Sequence, residues 1–118
     1  MCLLTLATTA PATPQGRAVS PWLDGWQNAV ARNDSQAVVA AVRLPFLFQG
    51  RPLDAAGFVA QAWPAMFSPA LRRCWSRARP LIEGRELTLT CAPYTLYFEP
   101  GPAPGTWLLR EFGADGEP

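Results

Sequence analysis

The apolar period of this chain changes once, at Leu81, and that change limits the possible architecture more than any other feature. Before it, apolar residues recur three and four apart, as on one face of a helix; after it they alternate, as on one face of a strand. Helices followed by an antiparallel meander make an α+β domain, with three to four helices packed on one face of a curved sheet. A length of 118 residues leaves room for one hydrophobic core.

Local signals divide each half. Ser20-Pro21 reads as an N-cap followed by proline at the first helical position, where its missing amide hydrogen costs nothing. A first helix is therefore predicted from Ser20, with Trp22, Trp26 and Val30 on one stripe. Asn33-Asp34-Ser35 breaks it and caps a second short helix over 36–42, whose Val38, Val39 and Val42 point inward. "RLPFLFQGRPL" reads as a short strand bending at Gln49-Gly50, with Pro45 at an edge or a strand start. Asp54 caps a third helix bearing Phe58, Val59, Ala62 and Trp63, which Pro64 is expected to kink or end. Ser68-Pro69 opens a fourth, running to about Ser76. Two or three strands follow, with Leu87, Leu89 and Cys91 sharing a face, then Leu96 with Phe98, then Leu108 with Phe112. Strict alternation puts Trp107 and Leu109 on the other face of that last strand, so both its faces are expected to be covered.

Composition removes several chemistries. There is no histidine, which excludes serine–histidine and cysteine–histidine nucleophiles and the commonest metal ligand. Three cysteines without histidine do not make a tetrahedral zinc site, so no transition metal and no cofactor is expected. Ten basic and nine acidic residues give a net charge of +1, with no overall attraction to nucleic acid or anionic membrane. No stretch approaches the roughly 18 apolar residues that span a bilayer.

Residues 1–19 are set apart as a signal-peptide-like or disordered tail, and 20–118 as a single domain. The apolar start passes into small residues, and Ala10-Pro11-Ala12 has the form of an A-x-A processing site with Thr13 as the first mature residue. This reads as export to the periplasm; a frayed cytoplasmic tail is the alternative. Export would leave Cys74 and Cys91 as an even pair in an oxidising compartment, where a bridge would contribute about 3 kcal/mol; two buried free thiols are the alternative.

The order of "WQNAVARNDSQAVVAAVRLPFLFQGRPL", "AAGFVAQAWPAMF" and "GTWLLREFGAD" resembles the nuclear transport factor 2-like superfamily. The resemblance implies a cone, a bent antiparallel sheet wrapped on helices, often with an internal pocket and often dimeric. Its enzymes include ketosteroid isomerases, polyketide cyclases and dehydratases, but their site residues do not carry over. Where the isomerases place a base carboxylate before the strand's proline this chain has Leu44, their first-helix tyrosine is matched by Trp22 and Trp26, and the dehydratases' histidine has no counterpart.

Few residues remain as candidates for chemistry. Arg72, Arg73, Arg77 and Arg79 crowd around Cys74; Arg73 and Arg77 would share a face if the helix lasts that far, and could clamp an anion, although such a run is more often a solvated face. Tyr94 and Tyr97 fall on opposite strand faces, so one at most points into a pocket. Asp24 and Glu99 are the acids to weigh as bases, and neither has an identified partner. Trp22, Trp26, Phe58 and Trp63 on the helices, with Tyr94, Leu96 and Trp107 on the strands, could line an apolar cavity or simply fill the core. The expected function is non-catalytic binding of an apolar or amphipathic small molecule, or service as a protein-interaction scaffold and possible homodimer. The alternative is an isomerase-, cyclase- or dehydratase-type enzyme using Asp24, Tyr94 or Glu99. For the export reading, protein made with its complete native leader should have a mature mass beginning at Thr13; retention of Met1 would refute it.

Overall fold

The computed structural model describes residues 14–114; Cys2, the Ala10-Pro11-Ala12 element and Thr13 lie outside the described residues. Helix α1 spans Pro14–Ala31, so it begins ahead of Ser20 and carries Pro21 inside it. A cap-plus-proline pair marks where a helix is able to start without forcing it to. Roughly two turns in from the amino end, proline forfeits a single backbone bond, and here the helix continues upstream through it.

Asn33 turns the chain out of α1 with φ 60, a left-handed conformation that asparagine tolerates. Its side-chain oxygen accepts a hydrogen bond from Trp63 Nε1 at 3.0 Å, tying the turn to a later helix. Asp34 then caps α2, Ser35–Val39, accepting from the Ala37 amide at 3.0 Å. A hairpin follows: β1, Phe46–Phe48, pairs antiparallel with β2, Arg51–Leu53. Gln49 and Gly50 join them with φ 52 and 79, the two positive values that a type I′ turn requires.

Helix α3 covers 55–66 in three parts: an α turn Ala55–Gly57, a π segment Phe58–Ala62 and an α turn Trp63–Met66. Asp54 caps it. Pro64 therefore neither ends nor caps this helix; the widened π turn lies just before it, with the Trp63 amide donating to the Phe58 carbonyl five residues back. Helix α4, Pro69–Trp75, starts as its Ser-Pro signal predicts, with Ser68 Oγ accepting from the Leu71 amide at 3.3 Å.

Four strands complete the chain: β3 (Leu81–Glu83), β4 (Glu86–Cys91), β5 (Tyr94–Pro100) and β6 (Trp107–Ala114). They form one antiparallel sheet in sequence order. The short strand β3 escapes the alternation reading because it offers only Ile82 to the core side, opposite Leu87. The architecture is thus α+β, with four helices, a two-stranded hairpin and a four-stranded antiparallel sheet.

Strand β6 departs from strict alternation. Tyr97 pairs with Glu111 while Phe98 pairs with Leu109, so Arg110 is an extra residue, a β-bulge. One extra residue inverts the alternation beyond it. Leu109 and Phe112 consequently share the core face, opposite Phe98 and Leu96, which corrects the placement of Phe112 beside Leu108. The outward face carries Thr88, Tyr97, Leu108 and Glu111, so the sheet is not buried on both sides. Strand β6 is also tied to the end of α2, where Leu109 donates to the Ala41 carbonyl and the Arg43 amide donates to Leu109.

Helix α4 joins the helices to the sheet. Trp75 is fully buried and its Nε1 donates to the Met66 carbonyl at 2.8 Å. Gln27 of α1 donates from Nε2 to the carbonyls of Trp75 and Ala78, both at 2.9 Å. Next in the chain to Trp75, Cys74 forms a disulfide with Cys91 at the end of β4, with Cα atoms 6.0 Å apart. Among the described residues no helix is long and apolar enough to cross a membrane. Because the disulfide constrains the unfolded chain across the α4–β4 connection, Cys74→Ser/Cys91→Ser should lower unfolding stability by about 3 kcal/mol in urea titration. A loss below about 0.5 kcal/mol would show that the joint holds without it.

Candidate functional site

The residues expected to line a pocket are divided between the core and three separate surface depressions. Phe58, Trp63 and Leu96 are core: Trp63 stacks on Phe67 at 4.3 Å, and Phe58 meets Phe46 edge-on at 5.1 Å. Tyr94 lies with Leu47, Phe48 and Phe112 around a depression of about 280 Å³ at the β1–β2 turn. Trp107 borders another of about 410 Å³, formed by Arg85 and the proline-rich β5–β6 loop. Trp22 and Trp26 belong to a third, of about 350 Å³, running between α1 and α2.

The polar candidates are likewise dispersed. Asp24 is exposed on α1. Glu99 accepts from Arg43 Nη1 at 3.4 Å on the outward face of β5, while Tyr94 is on the core face of the same strand, its ring edge-on to Phe112. Helix α4 ends at Trp75, so Arg77 lies beyond it and shares no helical face with Arg73. Both arginines are exposed, and neither has an ion pair among the described residues. Arg72, beside them, donates to the Phe67 carbonyl at 2.8 Å and so closes the end of the preceding helix. On the outward sheet face Arg110 donates to Glu86 at 2.6 Å and to Glu111 at 3.0 Å; the Glu86 bond is the main cause that raises its pKa above arginine's ordinary value.

The α1–α2 groove has the most coherent chemistry. Its floor and sides are Gly25 and Ala29 from α1 and Ala37 and Ala41 from α2 and its exit, small residues that leave Trp22 half-buried beside them. Trp22 and Trp26 stack with ring centroids 6.5 Å apart, and both meet Phe98 of β5 edge-on. Trp26 is 5% exposed, and its Nε1 is buried without a hydrogen-bond partner. Arg32 is the one charged residue in the lining, and its Nη2 lies 3.3 Å from Asp34 Oδ2. Gly25, Arg32, Ala37 and Ala41 were not picked out from the sequence. Their signal was there: small residues four apart, Gly25 and Ala29 on α1 and Ala37 and Ala41 on α2 and just past its end, which lets neighbouring segments leave a channel where larger side chains would close it.

Asp34, outside the lining, both caps α2 and pairs with Arg32. The bond from the Ala37 amide lowers its carboxyl below the ordinary 3.8; slight desolvation opposes this, and the Arg32 guanidinium adds to it. No protein-family model, curated protein or solved structure matches the chain.

A depressed folded-state value means that the folded chain binds the proton more weakly than the unfolded one. The charged cap's stabilisation is then complete above 3.8 and is lost as pH falls through the lower folded value. The melting-temperature advantage of wild type over Asp34→Asn should be constant near neutral pH and shrink below pH 3.8. An advantage unchanged down to about pH 2 would mean that the carboxylate charge contributes nothing to the cap.

Proposed function

We propose that this chain is a non-catalytic binding module of an extracytoplasmic compartment, and that it takes an apolar or amphipathic small molecule into the groove between α1 and α2. The observation that carries the reading is the groove itself: about 350 Å³, the lower end of the roughly 300–1,000 Å³ typical of ligand sites, walled by two stacked indoles and small aliphatic residues. The part of the Trp22 ring left open along it is favourable to cover, at about 25 cal/mol per Å².

Two further features support the wider reading. The disulfide fits an oxidising compartment, as the leader-like amino terminus suggests. The element order, helix, short helix, hairpin, helix pair and four-stranded antiparallel meander, supports the proposal of a nuclear transport factor 2-like cone, which rests on this order alone. Within such a cone the aromatic residues Trp26, Phe58, Phe67 and Trp75 occupy the space between helices and sheet, which moves binding to the surface.

Titration calorimetry with dodecan-1-ol, an uncharged probe, tests the site. Ala37 is exposed at the groove wall, so Ala37→Trp fills the groove without entering the core. Wild type should bind the alcohol, and Ala37→Trp should weaken it at least about tenfold while leaving the melting temperature within a few degrees. Absence of binding to wild type would overturn the ligand reading and leave a scaffold.

A further inference from the structure

Resting on the reading of this groove as a ligand site, we propose that its ligand is a single-chain amphiphile with an anionic carboxylate head, a fatty-acid-like molecule whose head lies at Arg32 and whose chain runs along Trp22 and Trp26. The argument turns on which hydrogen-bonding side chains the lining contains. There are three, Trp22, Trp26 and Arg32, and all are donors with no acceptor capacity. Every other lining side chain is proline, glycine or alanine. No carboxylate, amide or hydroxyl is present in the wall to receive a hydrogen bond from a ligand, so a ligand that donates gains no side-chain partner, and one that accepts meets only donors.

The donors of Arg32 are also available. Arg32 directs one nitrogen to Asp34 at 3.3 Å, across a pair whose side chains are 61% and 39% exposed. Such an open contact holds the guanidinium weakly, and the rest of its five N–H groups remain for a planar, bidentate carboxylate. Asp34, the competing acceptor, is already engaged by the Ala37 amide at its other oxygen. The polar end of the groove is thus defined by Arg32 and the apolar length by the indoles, which is the layout of an amphiphile and not of a uniformly polar anion.

Three probes with the same chain and different heads test this by calorimetry on the full-length protein, each below its micellar concentration: dodecanoate, dodecan-1-ol and dodecyltrimethylammonium. Dodecanoate should bind tightest, about tenfold above the ammonium, and its affinity should fall as salt is raised. Arg32→Gln should weaken dodecanoate about fivefold and leave dodecan-1-ol unchanged, the size expected for an exposed charged contact. Arg32→Lys, which keeps the charge without the fork, should fall between them. Equal affinity for all three heads, or dodecanoate binding untouched by Arg32→Gln in a protein that still melts cooperatively, overturns the anionic head while the apolar-ligand reading stands. Failure of all three probes to bind overturns both. Dodecanoate binding that survives Ala37→Trp overturns the location.

Discussion

The fold depends most on the carboxyl end of α4, where helices and sheet are fastened together within a few residues. Trp75 fills the interior and gives its indole hydrogen to Met66, so its one polar atom enters the core with a partner. Gln27 reaches from α1 to the carbonyls that the end of α4 and the next turn would otherwise leave open. The bridge from Cys74 to Cys91 then joins the same turn to β4. Three kinds of bond, one hydrophobic, one polar and one covalent, thus meet at a single turn. The remaining helices are positioned relative to it: Trp26 meets Phe67, and Phe67 meets Trp75, in an aromatic chain running back to α1.

Elements whose chemistry is local were legible before the structure. Asp34, Asp54 and Ser68 each cap the helix they announce, because a side-chain oxygen satisfying an amide three residues on needs nothing distant. Val38, Val39 and Val42 are buried as their spacing implies. Failures arose where a long-range requirement changed the count of residues. At Arg110 the bulge resets the alternation, and no residue type announces it, so Phe112 was put on the wrong face. At Phe58–Ala62 a wider helical turn comes just ahead of Pro64, and a proline expected to kink or end the helix lies inside it. Ser20-Pro21 shows the same limit, since permission to start a helix is weaker information than a reason to stop one.

The candidate site was less legible than the fold. Periodicity assigns a residue to a face, yet it does not say which other residues meet it there. Trp22 and Trp26 were identified correctly as neighbours, being four apart on one helix. Phe58, Trp63, Leu96, Tyr94 and Trp107 were grouped with them by residue type; they belong to or pack on the same core but do not line the groove. The groove is instead completed by alanines and a glycine, residues that draw attention to themselves only once two helices are seen side by side. Arginine is similar: density along the chain singled out Arg73 and Arg77, whereas Arg32 gains its interest from an acceptor-free wall that no single stretch of sequence reveals.

The two ends of the disulfide are unlike. Cys74 is at the surface, while Cys91 is 3% exposed among apolar side chains. A thiolate arriving from solvent meets the Cys74 sulfur first, and attack there must expel the Cys91 sulfur as an anion. Burial disfavours that charged form, so Cys91 is a poor leaving group, and exchange slows as the leaving thiol's basicity rises. The reverse attack, which would release the solvated sulfur, requires a nucleophile to enter the interior. A bridge with its better leaving group outside and its exposed target outside as well resists shuffling in either direction, and in a compartment crowded with other thiols and disulfides it keeps its partner.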